Sequence, residues 1–185
     1  MRQVAEKLGV SLDAVVYVLR KSNVPRRSSS ETNSILYRRQ KPSFTLRRNF
    51  TPHAHDINLI GAVLYWAEGH KTASAGGIDF ANSDIDMVSL FVLFLRKRYR
   101  FDEKRLRAFL YCHKNQDVTA LTQFWSKKLK IPETQFTRPY IRQDFRQNGR
   151  KMPWGLIHIR YSDKKLLLDI LNLIDSTRKN GMRRW

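Results

Sequence analysis

Residues 59–67 read LIGAVLYWA, a stretch that would be apolar on every side of a helix. A surface helix shows one apolar stripe, so this one is expected to be enclosed all round by other elements or by a partner. Gly61, Ala62 and Ala67 are small enough to let a neighbouring backbone approach closely. Such a helix suits a symmetric subunit contact, with Gly61, Ala62 and Tyr65 as the expected interface. The helix should stop at Glu68–Gly69, with Gly69 in the left-handed conformation that ends helices. Glu68 is then oddly placed, because a carboxylate at a helix C-terminus meets the negative end of the macrodipole. A second copy of the same acid alongside would be worse, and a divalent cation would relieve both problems, hard oxygens being what Mg²⁺ prefers. The competing reading is an exposed last-turn acid paired with His70 or Lys71.

The surroundings of this helix are basic. The 185-residue chain carries 35 Lys and Arg against 16 Asp and Glu, a net charge of +19. An excess of this size favours a polyanion partner, because each Lys or Arg on a phosphate releases condensed counterions. Basic tails of ribosomal or membrane-surface proteins are poor in apolar residues, whereas this chain is 42% hydrophobic and 11% aromatic. That composition describes a folded domain with a basic face. The single cysteine, Cys112, excludes an internal disulfide and a CxxC zinc pattern. No signal peptide is evident, and the longest apolar runs, residues 59–67 and 88–95, are too short to span a bilayer. The expected location is therefore cytoplasmic, in a reducing compartment and associated with the nucleoid.

Residues 1–27 have their own punctuation. Val4, Leu8, Val10, Val15 and Val18 are spaced for two helices, Ala5 sits where they would cross, and Gly9 stands at the sharp turn. Ser11 can cap a second helix over residues 12–21, and Pro25 stops it. This segment resembles the helix-turn-helix family. The resemblance makes residues 12–21 the recognition helix, with Ser11, Asp13, Tyr17 and Arg20 directed at DNA and Arg26 and Arg27 flanking. An ordinary helical hairpin would have the same apolar spacing. Residues 28–56 read as an extended basic linker, in which Arg38 and Arg39 are placed to track phosphates. His53, His55 and Asp56 lie close in sequence, but no further metal ligand stands near them.

Beyond residue 69 the patterning alternates between strand and helix. Strands are expected around residues 78–81, at 104–113, 137–145 and 154–161, and helices at 85–99, 118–130 and 164–176. Side chains alternate faces along a strand. In the second strand Leu106, Ala108, Leu110 and Cys112 make the core side, which leaves Arg105, Arg107, Phe109, Tyr111 and His113 opposite. In the third, Arg138, Tyr140, Arg142, Asp144 and Arg146 share a face, and in the last Trp154, Leu156, His158 and Arg160 line up. Repeated arginines and aromatics on one side of a sheet suit contact with a nucleic acid better than plain solvation, because Arg forks match phosphates and guanine edges.

Within residues 61–69, GAVLYWAEG resembles the LAGLIDADG motif of homing endonucleases and their regulatory and maturase relatives. Glu68 stands at the metal-binding acid, Ala67 at the small residue before it and Gly69 at the closing glycine, while Val63 replaces a second glycine. The order of elements over residues 57–176 is similar too. The resemblance implies an α+β fold, with helices packed on a saddle-shaped antiparallel sheet, as a domain over residues 57–177. A small helix-turn-helix module over 1–27 would precede it, and a basic tail over 178–185 would follow. It implies Glu68 as metal ligand and catalytic acid, Asn82 and Asp84 near the attacking water, and Arg160 as a basic helper. Asp84 is equally well read as a helix N-cap. With a single motif in the chain, the resemblance also implies a homodimer on double-stranded DNA.

The function expected from this reading is a sequence-specific, Mg²⁺-dependent DNA endonuclease whose sheet enters the major groove through Lys71, Arg105, Arg107, Tyr111, Arg138, Tyr140, Arg142, Arg146 and His158. The alternatives are a transcriptional regulator on the same fold without chemistry, and an RNA-binding maturase.

Overall fold

The computed structural model describes all residues except 26, 48–51, 73, 144–151 and 183–185. Packing divides the chain into two units, Met1–Lys41 and Pro42–Trp185.

The first unit is built by local signals. Helix α1, Arg2–Leu8, ends on Gly9 in the left-handed region (φ 63°), and Ser11 accepts a hydrogen bond from the Ala14 amide to start α2, Leu12–Lys21. The turn and second helix therefore take the positions expected. The following stretch does not form an extended linker. Ser28 and Glu31 make a reciprocal capping box that nucleates α3, Ser29–Arg39, satisfying amides that an extended chain would leave to water. Of the apolar positions in this unit, only Ala5 and Val15 are buried, and Val4, Leu8, Val10 and Val18 are exposed.

The second unit opens with β1, Phe44–Leu46, followed by α4, Pro52–Glu68. Next come β2, Ile78–Asn82; α5, Ile85–Arg98; β3, Tyr99–Phe101; and β4, Arg107–His113. The chain continues through α6, Val118–Leu129; β5, Phe136–Arg142; β6, Leu156–Tyr161; and α7, Lys164–Met182. Strands β1 and β3 pair as a small ribbon. The main sheet has the order β2–β6–β4–β5. The architecture is α+β, but the sheet is mixed and not wholly antiparallel, because β4 and β5 run parallel. A parallel pair needs a crossover, and α6 supplies it.

One face of the sheet is the core. Ile78 and Phe80, Ala108, Leu110 and Cys112, and Ile157, Ile159 and Tyr161 all point into it, against buried side chains of α4, α5, α6 and α7. An aromatic stack from Tyr65 through Phe91 to Phe80 joins α4, α5 and β2. Several strand limits move from expectation. Residues Glu103–Arg105 form a 3-10 turn, because Asp102 caps it through the Lys104 amide. Trp154 precedes β6 and stacks on Phe124 of α6 at 3.8 Å, its carbonyl accepting from Trp125 Nε1, so it is a packing residue and not part of the strand. The expected basic tail is helical through Met182.

Helix α4 is not enclosed all round. Ile57, Gly61, Ala62 and Tyr65 are buried, whereas Leu59, Ile60, Val63 and Trp66 are exposed, Trp66 by 47%. Gly61, Ala62 and Tyr65 therefore form no free subunit surface: they are packed against this chain's own core. A Cβ on Gly61 would lie 2.0 Å from Cγ of the buried Phe94, so this glycine is what lets α5 pack on α4. Gly69 is not a left-handed terminator either. It is needed because a Cβ there would come within 2.5 Å of the Tyr65 carbonyl oxygen.

Candidate nucleic-acid interface

The other face of the sheet carries the arginines and aromatics of the strand pattern, and strand register sets out their arrangement. Asp79, Arg160 and Arg107 are neighbours in one row across β2, β6 and β4. Ala81, His158, Phe109 and Thr137 make the next. Leu156, Tyr111 and Tyr140 make the third, and His113 and Arg142 the last. Rows on one face are roughly 7 Å apart and strands about 4.8 Å apart, so the grid forms a continuous patch. A register shift in β5 between the partners of Phe109 and Tyr111 puts Thr137, and not Arg138, opposite Phe109. Arg138 is exposed beside that irregularity, out of the simple alternation expected for Arg138, Tyr140 and Arg142.

Within the first rows the polar groups engage each other. Asp79 accepts from His158 Nδ1 and from Arg160 Nε, each at 2.8 Å. Burial would raise the Asp79 carboxyl, but the His158 hydrogen bond and charge, with the Arg160 guanidinium, hold it below the usual carboxylate range. The Arg160 guanidinium lies 4.8 Å from the Phe109 ring centroid, and the His158 ring meets Phe109 edge-on at 5.4 Å. Arg107 donates through Nη1 to the carbonyls of Lys104 and Leu106, and the residue stays exposed at the rim of the patch. Further along, Tyr111 and Tyr140 are stacked with centroids 4.7 Å apart. Asp79 is visible in the alternation of residues 78–81 as the acid on the non-core side, yet nothing in that pattern signals that it organises His158 and Arg160.

Glu68 ends α4 at the β2 edge of this sheet. Gly69 bridges to Phe80, the His70 amide donates to the Asp79 carbonyl at 2.8 Å, and the Tyr65 hydroxyl donates to the His70 carbonyl. Burial raises the Tyr65 phenol to about 12, so it stays a neutral donor that pins the helix end to β2. Glu68 itself is exposed. Lys71 does not pair with it: its ammonium donates to the carbonyls of Trp66 and Gly69 and so answers the negative end of the helix dipole. That use also removes Lys71 from the free cations.

Asn82 and Asp84 are occupied at the β2–α5 turn. Asn82 Oδ1 accepts from the Asp84 amide at 2.8 Å, and Asp84 caps α5 through the amides of Asp86 and Met87. The N-cap reading of Asp84 thus describes its contacts in full. Arg105 is turned away from the patch, donating to the Ser162 carbonyl and lying 4.9 Å from the Tyr161 ring. Among the described residues no three His, Cys, Asp or Glu side chains gather as a metal-holding group.

In the first unit, Asp13, Tyr17 and Arg20 share one exposed side of α2, with Lys21 Nζ 6.0 Å from the Tyr17 ring. The Ser11 hydroxyl is spent on the helix cap. Arg27, Arg38 and Arg39 are exposed, the last two in the final turn of α3. Arg26 and Arg146, with Asp144, lie outside the described residues. No described helix is long and apolar enough to cross a membrane.

Comparison of the chain with protein-family models, with curated proteins and with solved structures finds no match.

Proposed function

We propose that this protein binds double-stranded DNA through the open face of its sheet and, as a homodimer of LAGLIDADG type, hydrolyses phosphodiester bonds with a divalent metal at Glu68. The observation that carries the reading is the grid of Arg107, Phe109, Tyr111, Tyr140, Arg142, His158 and Arg160, which shares one face of three adjacent strands while the opposite face is core. With a net charge of +19, that face is complementary to phosphates. A ribbon of two such strands fits a major groove.

Pairing is supported by the apolar outer side of α4, where Leu59, Ile60, Val63 and Trp66 replace the buried Gly61, Ala62 and Tyr65 as contact residues. Two copies joined there would bring their Glu68 carboxylates toward each other. One carboxylate is too few for a protein-built Mg²⁺ cage, but Mg²⁺ is commonly held by one or two carboxylates plus substrate phosphate, a donor set that the pair and a bound strand would complete. Such an ion would supply an activated water and charge stabilisation at the leaving oxygen. Glu68 would hold it. Arg160, steadied by Asp79, would meet developing phosphate charge.

The second reading is a DNA-binding regulator without chemistry. It is favoured by the engagement of Asn82 and Asp84 in the β2–α5 turn, which leaves only Glu68 and Arg160 of the expected catalytic residues. A cleavage time course on a selected target, in Mg²⁺, Ca²⁺ and chelator, separates the two. The nuclease reading expects cutting in Mg²⁺ alone and its loss by orders of magnitude in Glu68→Gln with DNA binding retained. No cutting by the wild type on a target it binds selects the regulator.

A further inference from the structure

The rings of the open face differ in what they can still bind. The Phe109 ring is already occupied, with the Arg160 guanidinium over it and His158 against it edge-on. Tyr140 differs. It sits on β5, an edge strand of the sheet, with one ring face lying on Tyr111 at an interplanar angle of 25°, and it remains 52% exposed. Tyr111 thus fixes the ring's plane, so little side-chain freedom is left to lose when something stacks on the remaining side.

A fixed aromatic face has a particular complement. Bases in a duplex present only their edges to the grooves. Their faces are available only when unpaired, and unpaired bases stack on aromatic side chains with little sequence preference. A cation is placed for the rest of such a nucleotide. Arg142 lies two residues along the same strand and on the same face, roughly 7 Å away along the backbone and within side-chain reach of a phosphate.

We infer that the β4–β5 end of the open face receives an unpaired nucleotide, its base stacked on Tyr140 and its phosphate met by Arg142. The inference rests on the reading that this face binds nucleic acid and adds to it: the preferred ligand carries a single-stranded or extruded nucleotide, from DNA or RNA.

The test is binding of the full chain, in chelator, to three labelled probes of about 12 nucleotides or base pairs: single-stranded DNA, single-stranded RNA and blunt duplex DNA. Tyr140→Leu keeps apolar bulk and removes the ring, and Tyr140→Phe keeps the ring. Stacking on Tyr140 requires that Tyr140→Leu weaken at least one single-stranded probe by roughly tenfold, with Tyr140→Phe unchanged and the duplex weakened far less than that strand. Whichever single strand responds identifies the sugar. Equal weakening of duplex and single strands, or no weakening of either single strand, overturns the stacking role while leaving the nucleic-acid reading intact. Failure of the wild type to bind any of the three overturns both. Arg142→Ala separates these cases, since removing a cation from the phosphate path weakens every probe that binds across β5.

Discussion

The two units reach order by different routes. In Met1–Lys41, a left-handed glycine, the Ser11 cap and the Ser28/Glu31 capping box define three helices that bury only Ala5 and Val15. In Pro42–Trp185, four helices and a sheet close over one contiguous core with Trp125, Tyr65, Tyr99 and Phe91 fully buried. Caps and turns are worth about 1 kcal/mol each, whereas a buried aromatic contributes several times that through area and packing. Local signals can therefore say where helices begin without saying that they hold firmly together, and the first unit should open more readily than the second.

The most severe way to sharpen this contrast is Gly61→Leu. An isolated helix would gain from losing a glycine, but here the new side chain meets the ring of Phe94, which is fully buried and has no space to retreat. The expected cost exceeds about 3 kcal/mol, at or beyond the upper range for overpacking. Denaturant unfolding followed by tryptophan fluorescence, which reports the second unit, should lose its cooperative transition; hydrogen exchange in α1–α3 should be unchanged. A folded, stable Gly61→Leu protein would mean that α4 and α5 do not meet at this point.

Acid should weaken the second unit next. Burial raises the Asp163 carboxyl, but hydrogen bonds from the Ser43 hydroxyl and amide and from the Leu166 and Lys165 amides hold it below its ordinary value, and Asp79 is lowered by its own partners. Both carboxyls bind protons more weakly in the folded chain than in the unfolded one. Their contribution is therefore fully present above the ordinary carboxylate value of about 4 and is lost as pH falls through their lower folded values. Melting of the second unit at pH 5 and pH 3 should show a drop, and Asp163→Asn should reduce the pH dependence while lowering stability at pH 5. A melting temperature that does not change across this window contradicts the hydrogen-bond assignment.

The smallest effect belongs to the first unit. Ser28→Ala removes the hydroxyl that accepts from the Glu31 amide, and α3 should lose about 1 kcal/mol, read as faster amide exchange across residues 29–39 with the second unit's exchange unaltered. Unchanged exchange there would show that α3 is held by something other than its cap.

What the sequence disclosed follows the range of each signal and not the boundary between the units. The turn at Gly9, the cap at Ser11, the alternation in β4 and β6 and the inner face of α7 were legible because each depends on neighbours a few residues away. Three features were not. The capping box Ser28/Glu31 was present in the letters but masked by a polar, serine-rich composition that reads as linker. The apolar run 59–67 could not say which side of α4 faces its own core, since both sides are apolar; that choice belongs to Phe94 and β2, far along the chain. The parallel pairing of β4 and β5 depends on α6 serving as a crossover, which periodicity alone does not reveal. At the candidate interface, strand alternation placed Phe109, Tyr111, His158 and Arg160 on one side. The pairing of Asp79 with His158 and Arg160 depends on the β2–β6 register, and the diversion of Lys71 and Arg105 onto carbonyls depends on where the α4 end and the β6–α7 turn lie in the fold.

The central claim is that the open sheet face contacts phosphates, and its most direct test is the salt dependence of duplex binding by the wild type and by the Arg107→Ala, Arg142→Ala double variant. The account predicts a steep fall in affinity with salt for the wild type and, for the variant, a logarithmic slope smaller by roughly 1 to 2, as expected when up to two phosphates are no longer neutralised. A wild-type affinity indifferent to salt, or a variant with an unaltered slope, would contradict it.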